Sequence, residues 1–218
     1  LFLLGDEMNE FIAARWQDIL FRSYQHASLV IQSVAVALVI ALIIAIFVAQ
    51  RPRGAAIANA LTSIGLTLPS LALLGLAIPL FGIGTIPSVV LVVFYAVLPI
   101  LRNAIVGLHN VSDDVIESAR GQGMSSTAIL FRIRLPLAWP VIMTGIRVST
   151  QMSMGVAAIA AYALGPGLGG YIYSGLSQIG GTNALNFTLV GTIGVVIIAL
   201  IVDAILAGIQ KLTTPKGI

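Results

Sequence analysis

The chain has 218 residues, of which 58% are hydrophobic and only 9% charged, with no cysteine and a net charge of +3. Soluble domains hold about a quarter of their residues charged, so this is an integral membrane protein, and disulfides, thiol catalysis and cysteine metal sites are excluded. His26 and His109 stand far apart among only eight carboxylates; no metal site and no cofactor are expected, and the scattered basic residues suggest membrane topology, not nucleic acid.

Residues 1–27 mix Asp6, Glu7, Glu10, Arg15, Asp18 and Arg22 with Phe11, Ile12, Trp16, Ile19, Leu20 and Phe21. The apolar set recurs at roughly helical spacing. An amphipathic helix lying on the membrane surface is expected, with Trp16 and Tyr24 at headgroup level. No small-residue cleavage site follows, so no cleavable signal peptide is expected.

Ser28 to Gln50 is long enough, at about 1.5 Å per residue, to cross about 30 Å of hydrocarbon. Between Arg53 and Arg102 no residue is charged. That run suits two spans, expected at 56–78 and 86–106, with Gly82, Gly84 and Pro87 in the turn. Pro69, Pro79 and Pro99 are tolerated there where neighbouring helices satisfy the freed carbonyls.

Residues 107–138 form a polar loop, with Glu117, Arg120, Arg132 and Arg134 at its centre. Ile116, Ala119 and Gly123, then Ile129, Ile133 and Leu137, fall at helical spacing. Two short helices with a bend are expected, interrupted by Gly121 and Gly123 and stopped by Pro136. A docked partner would keep Ile129 and Phe131 from water. Span four is expected at 139–163. Gly165-Pro166-Gly167-Leu168-Gly169-Gly170 then matches the dinucleotide fingerprint in letters. It lacks the preceding strand, the amphipathic helix and the acid about 20 positions on that this chemistry requires. A glycine-rich turn into a short re-entrant helix over 171–179 is expected instead. The last span is expected at 187–209, before a tail over 211–218.

With five spans, eight of the Lys and Arg residues (Arg51, Arg53, Arg102, Arg120, Arg132, Arg134, Lys211 and Lys216) fall on one side. The positive-inside rule puts that side in the cytoplasm, the N-terminus outside and the C-terminus inside. Within the spans, Arg147 and Asp203 both lie about 10 Å deep on the cytoplasmic side, counting about 1.5 Å per residue. Unpaired ions there are costly, so an interhelical ion pair is expected; snorkelling of Arg147 to the headgroups is the alternative. Tyr95, Tyr162, Tyr171, Tyr173 and Trp139 are the aromatic groups able to line a path for a cation.

The loop resembles a signature of ABC importer permeases: E-A-A, three residues, G, nine residues, I-x-L-P. Glu117-Ser118-Ala119, Gly123, Ile133 and Leu135-Pro136 keep that spacing, and Ser118 for alanine is the one departure. In that family this loop, with Arg120 inside it, is the coupling helix that sits in a cleft of the ATPase subunit. Thr67 to Leu74, Tyr95 to Asn103 and Pro140 to Arg147 look like the osmoprotectant branch, whose members carry glycine betaine, choline, carnitine and proline betaine. The resemblance, from about residue 28 to the C-terminus, implies a type I importer permease fold. It implies as partners a cytoplasmic ATP-binding subunit, a second permease subunit and an extracytoplasmic substrate-binding protein. The chain has no phosphate-binding P-loop of its own, so no ATPase site is expected. Another small solute, such as an amino acid, is the alternative cargo. A gradient-driven transporter is weaker, having only Asp203 as an intramembrane acid. A membrane enzyme lacks any cluster of catalytic groups.

Overall fold

The computed structural model describes residues 2–214 and is built of helices. In chain order these are α1 (Phe2–Val48), α2 (Pro52–Thr67), α3 (Ser70–Phe81), α4 (Thr85–His109), α5 (Asp113–Gly121), α6 (Ser126–Ile129), α7 (Leu135–Ile159), α8 (Gly169–Ser177) and α9 (Ala184–Thr213). A π-helical turn, Leu130–Arg134, joins α6 to α7, and a 3-10 turn, Ala160–Ala163, follows α7. Four helical stretches are long and apolar enough to span a bilayer, or five if the bent α2–α3 pair counts as one. Lys216 and the rest of the expected tail beyond Thr214 lie outside the described residues.

The core is the pair α4–α7, with α1 laid against both and α9 against α7 and α8. In α1 the buried stripe is made of small residues, Ala37, Ala41 and Ala45 after Val30 and Val34, and continues into Ala49 just beyond it, while Val39, Ile43 and Phe47 are exposed. Lipid is as apolar as leucine, so burial gives little reward there. Close backbone packing over small residues holds the helices together instead. Within the central pair the closest approach is at Gly145 in α7. A Cβ at that position would lie 2.7 Å from Asn103 Cβ and 3.1 Å from the Pro99 carbonyl of α4. Gly145→Leu should therefore separate the central pair, at a cost of roughly 1–3 kcal/mol or more for overpacking. The expected result is loss of the monodisperse detergent-solubilised subunit in size-exclusion chromatography, with Gly155→Leu, where no neighbour lies within 4 Å, as the tolerated control.

Three sequence expectations are corrected here. Residues 1–27 do not form a separate surface helix: α1 runs unbroken from Phe2 to Val48, 47 residues. Its N-terminal half is held by aromatic packing, since Phe11 is buried against Phe187 and Tyr171. Trp16 and Tyr24 remain exposed.

The segment drawn as a span over 56–78 is two helices bent by 94°. Leu68, preceding a proline, takes the extended backbone that prolines impose on their predecessor, and Pro69 repeats it. The break leaves carbonyls without helical donors, and Tyr95 of α4 donates its hydroxyl to that of Leu68. Ser149 of α7 also donates to the Ala96 carbonyl of α4 (2.8 Å), tying the two central helices together. Tyr95→Phe keeps the ring and orphans the Leu68 carbonyl, at about 1–3 kcal/mol. The melting temperature of the solubilised subunit should fall, and an unchanged value would mean that water replaces the hydroxyl.

Pro136, lastly, does not stop the loop helix. It sits in the first turn of α7, directly after a π-helical turn. The π-helical turn, closed by the Leu135 N–H on the Leu130 carbonyl, carries the chain from α6 into α7 without interruption. Its wider i→i+5 register leads the helix past the donor that proline lacks.

Candidate functional site

The α5–α6 segment carries most of the loop residues singled out in the sequence. Asp113 and Asp114 occupy the first turn of α5 and Arg120 its last, each charge complementing the helix dipole. The helix ends in a full Schellman arrangement. The Gly123 N–H donates to the Arg120 carbonyl (2.9 Å) and the Met124 N–H to that of Ala119 (3.1 Å), while Gly123 adopts φ +81°. Ser125 then caps α6, accepting from the Ala128 N–H at 3.3 Å. So the glycine has a reason internal to the chain: its left-handed backbone makes the reversal between the two helices. Among the described residues no neighbour lies within 4 Å of the position a Cβ would take.

Beneath the reversal, Ile116, Ala119 and Ile129 are buried in a small cluster with Val111, Met124 and Ile133 packed around it. Ile129 is thus shielded by its own hairpin, and only Phe131 of the two apolar residues expected to need a partner is exposed. The outward face presents Glu117, Ser118, Arg120 and Gly123. The Ser118 hydroxyl donates back to the Asp114 carbonyl, 2.8 Å away, so serine at this place costs the hairpin nothing in satisfied hydrogen bonds. A groove of about 330 Å³ runs between Asp114, Ser118, Gln122, Met124 and Ile133. Leu135 and Pro136 are half-buried where the hairpin meets α7.

Arg147 and Asp203 meet. Arg147 Nε and Nη2 donate to the two carboxylate oxygens at 2.9 and 2.8 Å, a bidentate pair between α7 and α9. Its Nη1 donates to Gln210 Oε1 (3.2 Å), and Gln210 Nε2 donates in turn to the Pro140 carbonyl (3.2 Å). The pair is therefore fixed at both ends of its network, which is the arrangement that makes charge tolerable in a membrane.

The aromatic candidates do not form one cage. Tyr95 is buried and its hydroxyl is spent on Leu68. Trp139 donates Nε1–H to Thr213 Oγ1 at 2.7 Å. Tyr162 and Tyr173 meet edge to face, ring centres 5.1 Å apart. Tyr171 is buried, and it donates its hydroxyl to Asp18 of α1 at 2.7 Å. The sequence reading missed Asp18 and Arg22 as partners of Tyr171 in α8, and Arg15 as a partner of Phe187 in α9. The spacing that could have shown them is Phe11-Arg15 and Asp18-Arg22, two i,i+4 pairs along one side of α1.

Helices of membrane-spanning length around a central pair, with a capped polar hairpin between two of them, define a multi-pass membrane protein. The chain belongs to the family of binding-protein-dependent transport system inner membrane components, whose model matches residues 18–214. It is 35% identical over 208 residues to the choline transport system permease protein OpuBB of Bacillus subtilis (strain 168), covering 95% of this chain and 94% of that one. It is 34% identical over 213 residues to the glycine betaine/carnitine/choline transport system permease protein OpuCB of the same organism, covering 98% and 96%. It is also 32% identical to the glycine betaine/proline betaine transport system permease protein ProW of Escherichia coli (strain K12), over 87% of this chain and 52% of that longer one. The inward-facing MetNI methionine ABC transporter has a chain of the same fold, with TM-score 0.75 over 90% of this chain and 96% of that one, at 23% identity.

Proposed function

We propose that this chain is the permease subunit of an ATP-driven importer that carries quaternary ammonium compatible solutes: glycine betaine, choline, carnitine and proline betaine. The observation that carries this is similarity over 94–98% of each chain, at 34–35% identity, to permeases named for choline and for glycine betaine, carnitine and choline. The α5–α6 hairpin is the coupling element, docking on a cytoplasmic ATP-binding subunit through the exposed Glu117, Ser118, Arg120 and Gly123, with Ala119 buried beneath them. A second permease subunit completes the pathway, and an extracytoplasmic binding protein delivers the solute. The basic residues support an outside N-terminus and a cytoplasmic C-terminus. Closure of the ATPase pair would draw two such hairpins together and swing the helices between outward and inward access.

The test is uptake of radiolabelled glycine betaine, choline and carnitine into proteoliposomes holding this subunit with its ATPase and its binding protein. ATP-dependent uptake of any of them is the expected result. ATP-driven uptake of an amino acid alone would keep the machine and discard this cargo. Uptake without ATP would discard the machine.

A further inference from the structure

Away from the hairpin, a cavity of about 520 Å³ opens where the outer half of α1 meets α8, the start of α9 and the turn after α7. Its volume falls within the range of about 300–1,000 Å³ usual for small-molecule sites. Its lining brings together three kinds of group: the Asp18 carboxylate, the guanidinium groups of Arg15 and Arg22, and the rings of Tyr171, Tyr173 and Phe187. On the topology proposed above, this is the extracytoplasmic end of the subunit, where solute is handed over. We propose that the cavity is a reception site for a small zwitterion, one with a quaternary ammonium at one end and a carboxylate at the other.

The ring faces here are already in use by cations. Arg22 Cζ lies 5.6 Å from the Tyr171 ring centre, and Arg15 Cζ lies 4.5 Å from that of Phe11 and 5.4 Å from that of Phe187. Arg22 Nε also donates to both oxygens of Asp18, at 3.1 and 2.9 Å, and the Tyr171 hydroxyl adds a third bond to that carboxylate. The chain's own guanidinium thus takes the place a quaternary ammonium would take: over an aromatic face and beside an acid. Both charged side chains remain accessible, 38% for Arg22 and 48% for Asp18, so a solute can reach them. Residue 170 contributes to the seat by having no side chain, since a Cβ there would lie 2.8 Å from Arg22 Nη1.

Binding is then an exchange of partners. The solute's ammonium settles on Tyr171 and Asp18. Arg22, released from Asp18, turns its planar fork to the solute's carboxylate, a geometry guanidinium groups favour. Every charge keeps a partner, so the exchange is close to neutral and the hold is weak, as handover requires. A cation without a carboxylate displaces Arg22 and leaves it unpaired. An anion without an ammonium leaves Asp18 unpaired. The site therefore discriminates by pairing and not by size.

The proposal rests on the importer reading and is tested beside it. Saturation-transfer NMR on the purified subunit in nanodiscs, with glycine betaine, choline and acetate as probes, reads weak binding directly. Glycine betaine is expected to bind at least tenfold more tightly than choline, with transfer to its N-methyl protons. Arg22→Gln should abolish that preference while Arg22→Lys keeps much of it, and Asp18→Asn should weaken glycine betaine about tenfold. Equal binding of glycine betaine and choline by the unaltered subunit, or a preference that survives Arg22→Gln, would overturn the site. So would glycine betaine uptake by the assembled transporter with no transfer signal on the permease, and there the importer reading survives. Uptake of none of the quaternary ammonium solutes would sink both.

Discussion

Gly123→Asp is expected to leave the subunit in the membrane at normal levels, to abolish solute uptake, and to leave the partner ATPase hydrolysing ATP without transport. Two separate effects meet at this position, and a short series of variants takes them apart. Gly123 has φ +81° as the residue following the α5 cap. An ordinary side chain there costs about 1–2 kcal/mol, enough to lower the ordered hairpin population by a factor of about 5–30. Gly123→Ala pays that cost and adds almost no bulk. Asparagine tolerates the left-handed region, so Gly123→Asn should recover most uptake if backbone conformation is what the position demands. Aspartate resembles asparagine in shape, and what it loses beyond asparagine is the effect of a fourth acid beside Asp113, Asp114 and Glu117 on a face that must dock. Among the described residues nothing lies within 4 Å of a Cβ at Gly123, so a variant as large as asparagine that fails completely would instead place a partner in close contact there. Normal uptake by Gly123→Asp would remove the hairpin from the docking role.

The loop was readable because its signals are local. Glu117-Ser118-Ala119, Gly123 and Leu135-Pro136 hold fixed distances along the chain, and charge stands out in a sequence that is 9% charged. The same uniform apolarity hid the break at Leu68–Pro69. A hydropathy run measures only how much apolar chain is available, and two helices at 94° have the composition of one straight span. What decides the matter is Tyr95, 27 residues on, whose hydroxyl satisfies the carbonyl that the break exposes. Pro136 misled for a related reason. A proline read alone stops a helix, but the π-helical turn that carries the chain past it depends on backbone register, which residue types do not announce. The cavity between α1 and α8 was the least legible. Asp18 and Tyr171 are separated by 153 positions, and each has an ordinary reading by itself, the one as a solvated acid and the other as an interface anchor.

Asp203→Asn should be the most damaging single change in the transmembrane part. It leaves the Arg147 guanidinium with only the Gln210 side-chain oxygen, at 3.2 Å, and the new amide in place of two charge-assisted bonds. A lone cation in this setting must find water or headgroups, and α7 would have to shift away from α9 to let it. The expected result is a melting temperature several degrees lower for the solubilised subunit and a reduced yield of assembled complex. The informative variant is the double one, Arg147→Met with Asp203→Leu. It removes both charges and fills the space with apolar atoms, a replacement that is often neutral or stabilising where loss of one partner is not. Gln210 keeps its bond to the Pro140 carbonyl, so the α7–α9 contact retains a polar tie. Recovery of stability with loss of uptake would assign the pair to the moving parts of the transport cycle, since it would then be needed for something other than holding the helices together. Recovery of both would make the pair a structural tie that apolar packing can replace. If Asp203→Asn alone left melting, assembly and uptake unchanged, Arg147 would be reaching the headgroups without help, and the pair would have no part in either.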